Sequence, residues 1–231
     1  MSFIVAIDGP TSSGKSTVSN FIAQKLNFEY IQTGAMYRCV ALGLLQNNIQ
    51  LNDEAKIKKM LNNMNIKFLN DRENQIVIMN NKDVTEKIRT KEVTDYTSKV
   101  ASIILVRHKM LEIQRRMGQN SNVIMEGRDV GTNVFPNANV KFFLTAKPSI
   151  RARRKQRELE KIGEKLEFSS VLDSIYKWDK DAIERKEGAL KRAKDSIYID
   201  SSEMSIKELE EKMIDIIKQK YKEKDNYGWE K

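Results

Sequence analysis

One cysteine, one histidine and three prolines are all that this 231-residue chain contains of those types. The single cysteine, Cys39, removes any internal disulfide and fits a reducing compartment, so the cytoplasm is the expected location. No apolar run approaches the length of a membrane span, and no membrane partner is expected. The first residues pass directly into a short apolar run, so no signal peptide is expected. Pro10, Pro136 and Pro148 are dispersed, and no repeat, low-complexity tract or Pro/Gly-rich linker marks a boundary. The chain therefore reads as one α/β unit with an insertion. His108 lies in a helical stretch and reads as an exposed polar residue, and Cys39 reads as a small core residue.

What is abundant is charge. There are 41 Lys and Arg against 32 Asp and Glu, a net +9. Such an excess suits either nucleic acid or an anionic small substrate. The arginines form no contiguous basic tail; several stand singly beside motif residues, as phosphate clamps would. That distribution favours the small anion and makes nucleic acid an unlikely partner.

The most informative stretch is GPTSSGKST: Gly9, Pro10, Thr11, Ser12, Ser13, Gly14, Lys15, Ser16 and Thr17. It matches the phosphate-loop pattern G-x-x-x-x-G-K-[ST]. Its setting agrees, because FIVAI (3–7) suits a buried parallel strand closed by Asp8, and Val18, Phe21, Ile22 and Leu26 recur at helical spacing. Backbone N–H groups and the helix N-terminus offer positive charge to an anion, Lys15 reaches the outer phosphates, and the Ser16 hydroxyl can ligate Mg²⁺. A switch GTPase is disfavoured, since no N-K-x-D motif occurs and Asn81-Lys82-Asp83 has the wrong spacing.

Further along, FEYI (28–31) predicts a strand, 36–45 a helix and 53–63 a charged helix. IKFLN (66–70) and QIVIMN (75–80) around DREN predict a β-hairpin, with 83–84 as a third strand. One long helix is predicted from about 94 to 117, then strands at 123–130, 140–146 and 196–201. Ser205 and Glu208 form a capping box before a C-terminal apolar stripe, and the last ten residues are expected to fray. Strands alternating with helices predict an α/β fold: a five-stranded parallel sheet with helices on both faces, an inserted subdomain and a helical lid.

Three more constellations stand near predicted strand ends. YIQTGAMYR (30–38) places Thr33, a possible helix cap, and Arg38, whose fork suits a second phosphate. MEGRDVGT (125–132) offers Glu126 as a carboxylate for the metal, followed by Arg128 and Asp129 as clamps for a phosphate and a base edge. SIRARRKQRE (149–158) is a basic helix, a solvated face, an RNA contact or a lid that folds over ATP; in the last case Arg151 and Arg154 would stabilise charge on the transferring group.

Taken in order, these motifs resemble the bacterial cytidylate kinases, within the nucleoside monophosphate kinases. GPTSSGKST is similar to that family's phosphate loop, TGAMYR to its S/T-G-A-x-Y-R turn, 88–101 to the segment closing its insertion, and EGRDVGTNVFPNA to its D-G-R-D-x-G-T-x-V-F-P-x-A stretch. The adenylate kinase D-G-F-P-R signature is missing. The resemblance implies transfer of the γ-phosphoryl of ATP, with Mg²⁺, to CMP or dCMP by a monomeric enzyme. It implies that Ser98, Arg107 and Asp129 read the cytosine and that Arg38, Arg128 and Arg185 hold the acceptor phosphate, with Thr33, Gly34 and Tyr37 in the same turn. Lys15, Arg128, Arg151, Arg154 and Arg185 would be the catalytic set. The implied division is a core of 1–63, 96–146 and 191–225, an acceptor insertion at 64–95 and a lid at 147–190. The lid departs from the family's R-D-x-x-D-x-x-R and Ser/Ala-Pro-Leu: WDKDAIER (178–185) keeps Asp179 and Arg185 but has Trp178 and Ala182, and GAL (188–190) lacks the proline. These departures leave open a kinase for another small acceptor, or an inactive kinase-like RNA-binding or regulatory protein.

Overall fold

The computed structural model describes residues 2–70, 75–119, 121–161 and 163–226. Its centre is a sheet of five parallel strands: β1 (Ile4–Asp8), β2 (Glu29–Gln32), β6 (Val123–Gly127), β7 (Val140–Thr145) and β8 (Ile197–Asp200), in the order β2-β6-β1-β7-β8. The alternation of side chains along each strand divides the core in two. Val5, Ile7, Ile124 and Phe142 meet Val18 and Ile22 of α1 (Lys15–Leu26) and Leu209, Met213 and Ile217 of α8 (Ile206–Asn226). Ala6, Ile31 and Met125 face the other side, against α2 (Thr33–Gln46), α3 (Glu54–Asn62), α4 (Lys91–Val100) and α5 (Ile104–Met117). Phe21, expected on the apolar stripe of α1, is 44% exposed, one position off the face that Val18 and Ile22 bury.

Register fixes the site. Ile7 lies beside Glu126 and Asp8 beside Gly127, so the strand end that feeds the phosphate loop adjoins the carboxylate expected to serve the metal.

The insertion is a separate antiparallel sheet of β3 (Ile66–Asn70), β4 (Gln75–Met79) and β5 (Lys82–Asp83), as the hairpin pattern predicts; the intervening 71–74 lie outside the described residues. A third, small core joins α6 (Pro148–Lys161) to α7 (Phe168–Ile183), where Ala152, Val171 and Ile175 are buried with Trp178 packed against them. The capping box is present: Ser205 Oγ accepts from Glu208 N at 3.2 Å, and Glu208 Oε2 accepts from Ser205 N at 2.8 Å.

Two expectations need correction. The long helix from 94 to 117 is two helices, interrupted at 101–103, where backbone bonds tighten to three-residue spacing and Ser102 Oγ donates to the Ser98 carbonyl. In an unbroken helix Ser98 and Arg107 would stand about two and a half turns apart, on opposite faces. The second concerns the chain end: 222–226 continue α8 rather than fray, with Lys224 Nζ donating to the Ser2 carbonyl at 2.7 Å, while 227–231 lie outside the described residues.

Candidate active site

The phosphate loop leaves β1 at Asp8 and enters α1 at Lys15. Gly9 (φ +154°) is forced by space, because a Cβ there would lie 1.9 Å from the Leu144 carbonyl oxygen on β7. Gly14 (φ +93°) and Ser12 (φ +57°) take left-handed conformations that turn the chain around a concavity. Asp8 is buried and accepts from the N–H groups of Val130 and Gly131, each at 2.7 Å, which ties the loop to a π-type turn at Val130–Val134. Burial dominates those bonds and raises its carboxyl to about 7.

Lys15 is also buried. Its ammonium donates to the Pro10 carbonyl at 2.7 Å and to Ser13 Oγ at 3.4 Å, inside the loop's own curve. Desolvation first, then the nearby Arg128 guanidinium, lowers it to about 7. Ser16 Oγ donates to Glu126 Oε1 at 2.9 Å and accepts from Gln32 Nε2 at 2.9 Å. This pair of oxygens fits Mg²⁺, which keeps most of its waters and needs one or two protein oxygens besides phosphate. Thr17 is exposed beside Ser16.

Arginines from the turn after β6 and from α6 flank the loop. Arg128 donates to the Gly9 carbonyl at 2.8 Å and to Thr11 Oγ1 at 2.5 Å, so its fork is turned onto the loop. Arg151, 3% exposed, bridges the Ala146 carbonyl, the Thr11 carbonyl and Asp179 Oδ2, at 2.9, 3.1 and 2.6 Å. Arg154 holds Ser201 through its hydroxyl and carbonyl and approaches Gly14. Both lid candidates therefore bond inward, onto the core.

The remaining candidates gather on the far side of β6. Thr33 Oγ1 donates to the Glu126 carbonyl at 2.9 Å rather than capping its helix, and a Cβ at Gly127 would lie 2.4 Å from that hydroxyl. Gly34 opens the next turn of α2, leaving free space where a side chain would stand. Arg107 pairs with Asp129 at 2.5 Å, both nearly inaccessible, and its guanidinium lies 5.6 Å from the centre of the Tyr37 ring. Burial raises the Tyr37 hydroxyl to about 12 despite that cation. A cleft lined by Arg107, His108, Leu111, Asn133, Glu187 and Gly188 opens beside this pair. Ser98 Oγ donates to Asp181 Oδ2 at 2.9 Å. Arg38, Arg128 and Arg185 are each lowered by burial, and the field of Arg38 and of Arg185 acts on Arg128. Arg128 thus lies within the field of both Arg38 and Arg185, Arg185 within that of Arg107 and Asp129, and Ser98 reaches this group through Asp181.

A cytidylate kinase family profile matches residues 5–219. The chain belongs to the cytidylate kinase family. It is 42% identical over 216 residues to a cytidylate kinase of Carboxydothermus hydrogenoformans, covering 94% of this chain and 97% of that protein. A Fusobacterium nucleatum cytidylate kinase is 45% identical over 206 residues, 89% of this chain and 93% of its own, and a Bacillus subtilis one is 39% identical over 216 residues, 94% and 96%. Among solved structures, an uncharacterized protein from Eubacterium ventriosum shares the fold at TM-score 0.52 and 14% identity, covering 94% of this chain and 98% of its own.

Within this cytidylate kinase family member, four side chains carry contacts that the motifs did not announce. Asp8 anchors the turn after β6, Gln32 holds Ser16, Asp179 holds Arg151 and Asp181 holds Ser98. Asp8 had a visible signal as the charged residue ending an apolar strand, and Asp179 as the acidic residue kept from R-D-x-x-D-x-x-R. His108 is exposed and pairs with Glu187 at 3.1 Å across the mouth of the cleft that both residues line.

Proposed function

We propose that this kinase transfers the γ-phosphoryl group of ATP to CMP and dCMP, giving CDP and dCDP, as a monomer in the cytoplasm. The observation that carries the reading is the convergence of Arg38, Arg128 and Arg185 beside the phosphate loop. The three guanidiniums are half-buried, and the charges of Arg38 and Arg185 both act on Arg128, so an acceptor monophosphate between them would relieve that repulsion. Gly9 to Thr17, Pro10 excepted, bind the donor phosphates through backbone N–H groups, and Lys15 exchanges its bond to Pro10 for one to the outer phosphates. Ser16 and Glu126 would hold Mg²⁺, which supplies charge neutralisation between the donor phosphates. Arg151 and Arg154 neutralise the transferring group from the lid, taken as 147–190, while the insertion at 64–95 and the Thr33–Arg38 turn seat the acceptor. Such transfer relies on positioning and electrostatics and requires no covalent intermediate.

Cytosine presents an amino group where uracil presents a carbonyl, so the Asp129 carboxylate favours the former. The decisive measurement is ADP formation from ATP and Mg²⁺ with CMP, dCMP, UMP, AMP and GMP in turn. A strong preference for CMP or dCMP is expected. No acceptor-dependent ADP from folded protein would sink the reading and direct attention to another small acceptor.

A further inference from the structure

Asp181 belongs to none of the matched motifs; it sits on α7 next to Ala182, the position where the family pattern has its second acidic residue. Its carboxylate nevertheless reaches across to α4, 83 residues away in sequence, and meets the Ser98 hydroxyl at 2.9 Å. Arg185, one turn further along the chain, feels the charges of Asp181, Arg107 and Asp129 together, so Asp181 stands at the rim of the base-reading group.

The direction of that bond has a chemical consequence. A serine hydroxyl has one proton to donate and two lone pairs, whereas a carboxylate only accepts. Asp181 therefore accepts the hydrogen bond of the Ser98 hydroxyl, which leaves Ser98 Oγ with lone pairs alone for any further partner. Against a pyrimidine, an oxygen that can only accept welcomes the 4-amino group of cytosine and rejects the 4-carbonyl of uracil. Freed from Asp181, the same hydroxyl could rotate and donate to that carbonyl. We infer that Asp181 sets the hydrogen-bond direction of Ser98 and thereby acts as a positioning residue for the choice of cytosine over uracil. This rests on the reading above that Ser98 faces the base.

The test compares kcat/KM for CMP and UMP in wild type, Asp181→Ala, Ser98→Ala and the double variant. In Asp181→Ala the CMP:UMP ratio is expected to fall roughly tenfold, chiefly through a gain with UMP, because one hydrogen bond of the wrong sense is no longer enforced. The double variant should show no smaller ratio than Ser98→Ala alone. Asp181→Asn, nearly isosteric and able both to accept and to donate, should fall between wild type and Asp181→Ala, and it carries the test if the alanine variant does not fold. A ratio unchanged while both substrates suffer equally would overturn the inference, as would additive losses in the double variant. Wild-type protein that does not use CMP would overturn the base reading itself; wild type that uses CMP, with an unmoved ratio in the variants, removes Asp181 alone.

Discussion

The phosphate loop and the proposed acceptor side are built in opposite ways. Nine contiguous residues form the loop, and the cations beside it are already satisfied: Lys15 by Pro10, Arg128 by Gly9 and Thr11, Arg151 by Thr11 and Asp179. The acceptor side draws Arg38 from α2, Ser98 from α4, Arg107 from α5, Asp129 from the turn after β6 and Arg185 from beyond α7. Here Arg107 Nε and Arg185 Nε are buried without a partner among the described residues. A loop encoded locally can be complete before its ligand arrives. A site assembled from five places keeps donors in reserve, and a ligand that satisfies them removes a cost of roughly 1–3 kcal/mol for each buried group left unpaired.

The sharpest way to break this contrast is Lys15→Ala, which removes the loop's only ammonium. Turnover should fall by about three orders of magnitude or more while the acceptor side stays intact, read by ADP formation beside unchanged binding of CMP. Near-normal activity would sink the mechanism. Asp129→Ala attacks the other side and should narrow the CMP to UMP preference about ten- to hundredfold with little change in KM for ATP; an unaltered ratio removes Asp129 from base reading.

Gly188→Ala is subtler. Gly188 has φ +61°, and a Cβ there would lie 1.5 Å from Arg107 Nη2 and 2.3 Å from Asp129 Oδ2. Displacing that ion pair should raise KM for CMP about tenfold and leave KM for ATP alone. Equal effects on both substrates would mean that the two sides are not separable.

The smallest effect is a proton. Ligand-free Lys15, lowered to about 7, is largely neutral at pH 8, and an incoming polyphosphate stabilises its charged form. ATP binding should therefore take up close to one proton at pH 8 and almost none at about pH 5.5, where the lysine is already charged. Calorimetry in buffers of different ionisation heat measures this, and uptake that persists in Lys15→Ala would assign it elsewhere. For folding the signs oppose each other. Lys15 burial costs most below about 7 and is relieved as pH rises towards 10.5, whereas the raised Asp8 loses its stabilising share as pH rises from 3.8 to about 7.

The same contrast governed what could be read from the chain. β1, the loop and α1 were legible because their residues are neighbours, as were the alternation that splits the sheet into two cores and the Ser205–Glu208 box. The break at 101–103 was not, because nothing between Thr94 and Met117 is a helix breaker; the interruption comes from what α4 and α5 each bury against α2 and α3. Asp181 and Gln32 were missed for the same reason: a surface-looking acid or amide acquires meaning only from what another element brings to it.

Arg151 works as a rivet. Its guanidinium is shared by the end of β7, the phosphate loop and α7, so stretching the Asp179 contact leaves a buried cation partly uncompensated. One side chain thereby makes the seating of α7 answerable to the shape of the phosphate loop.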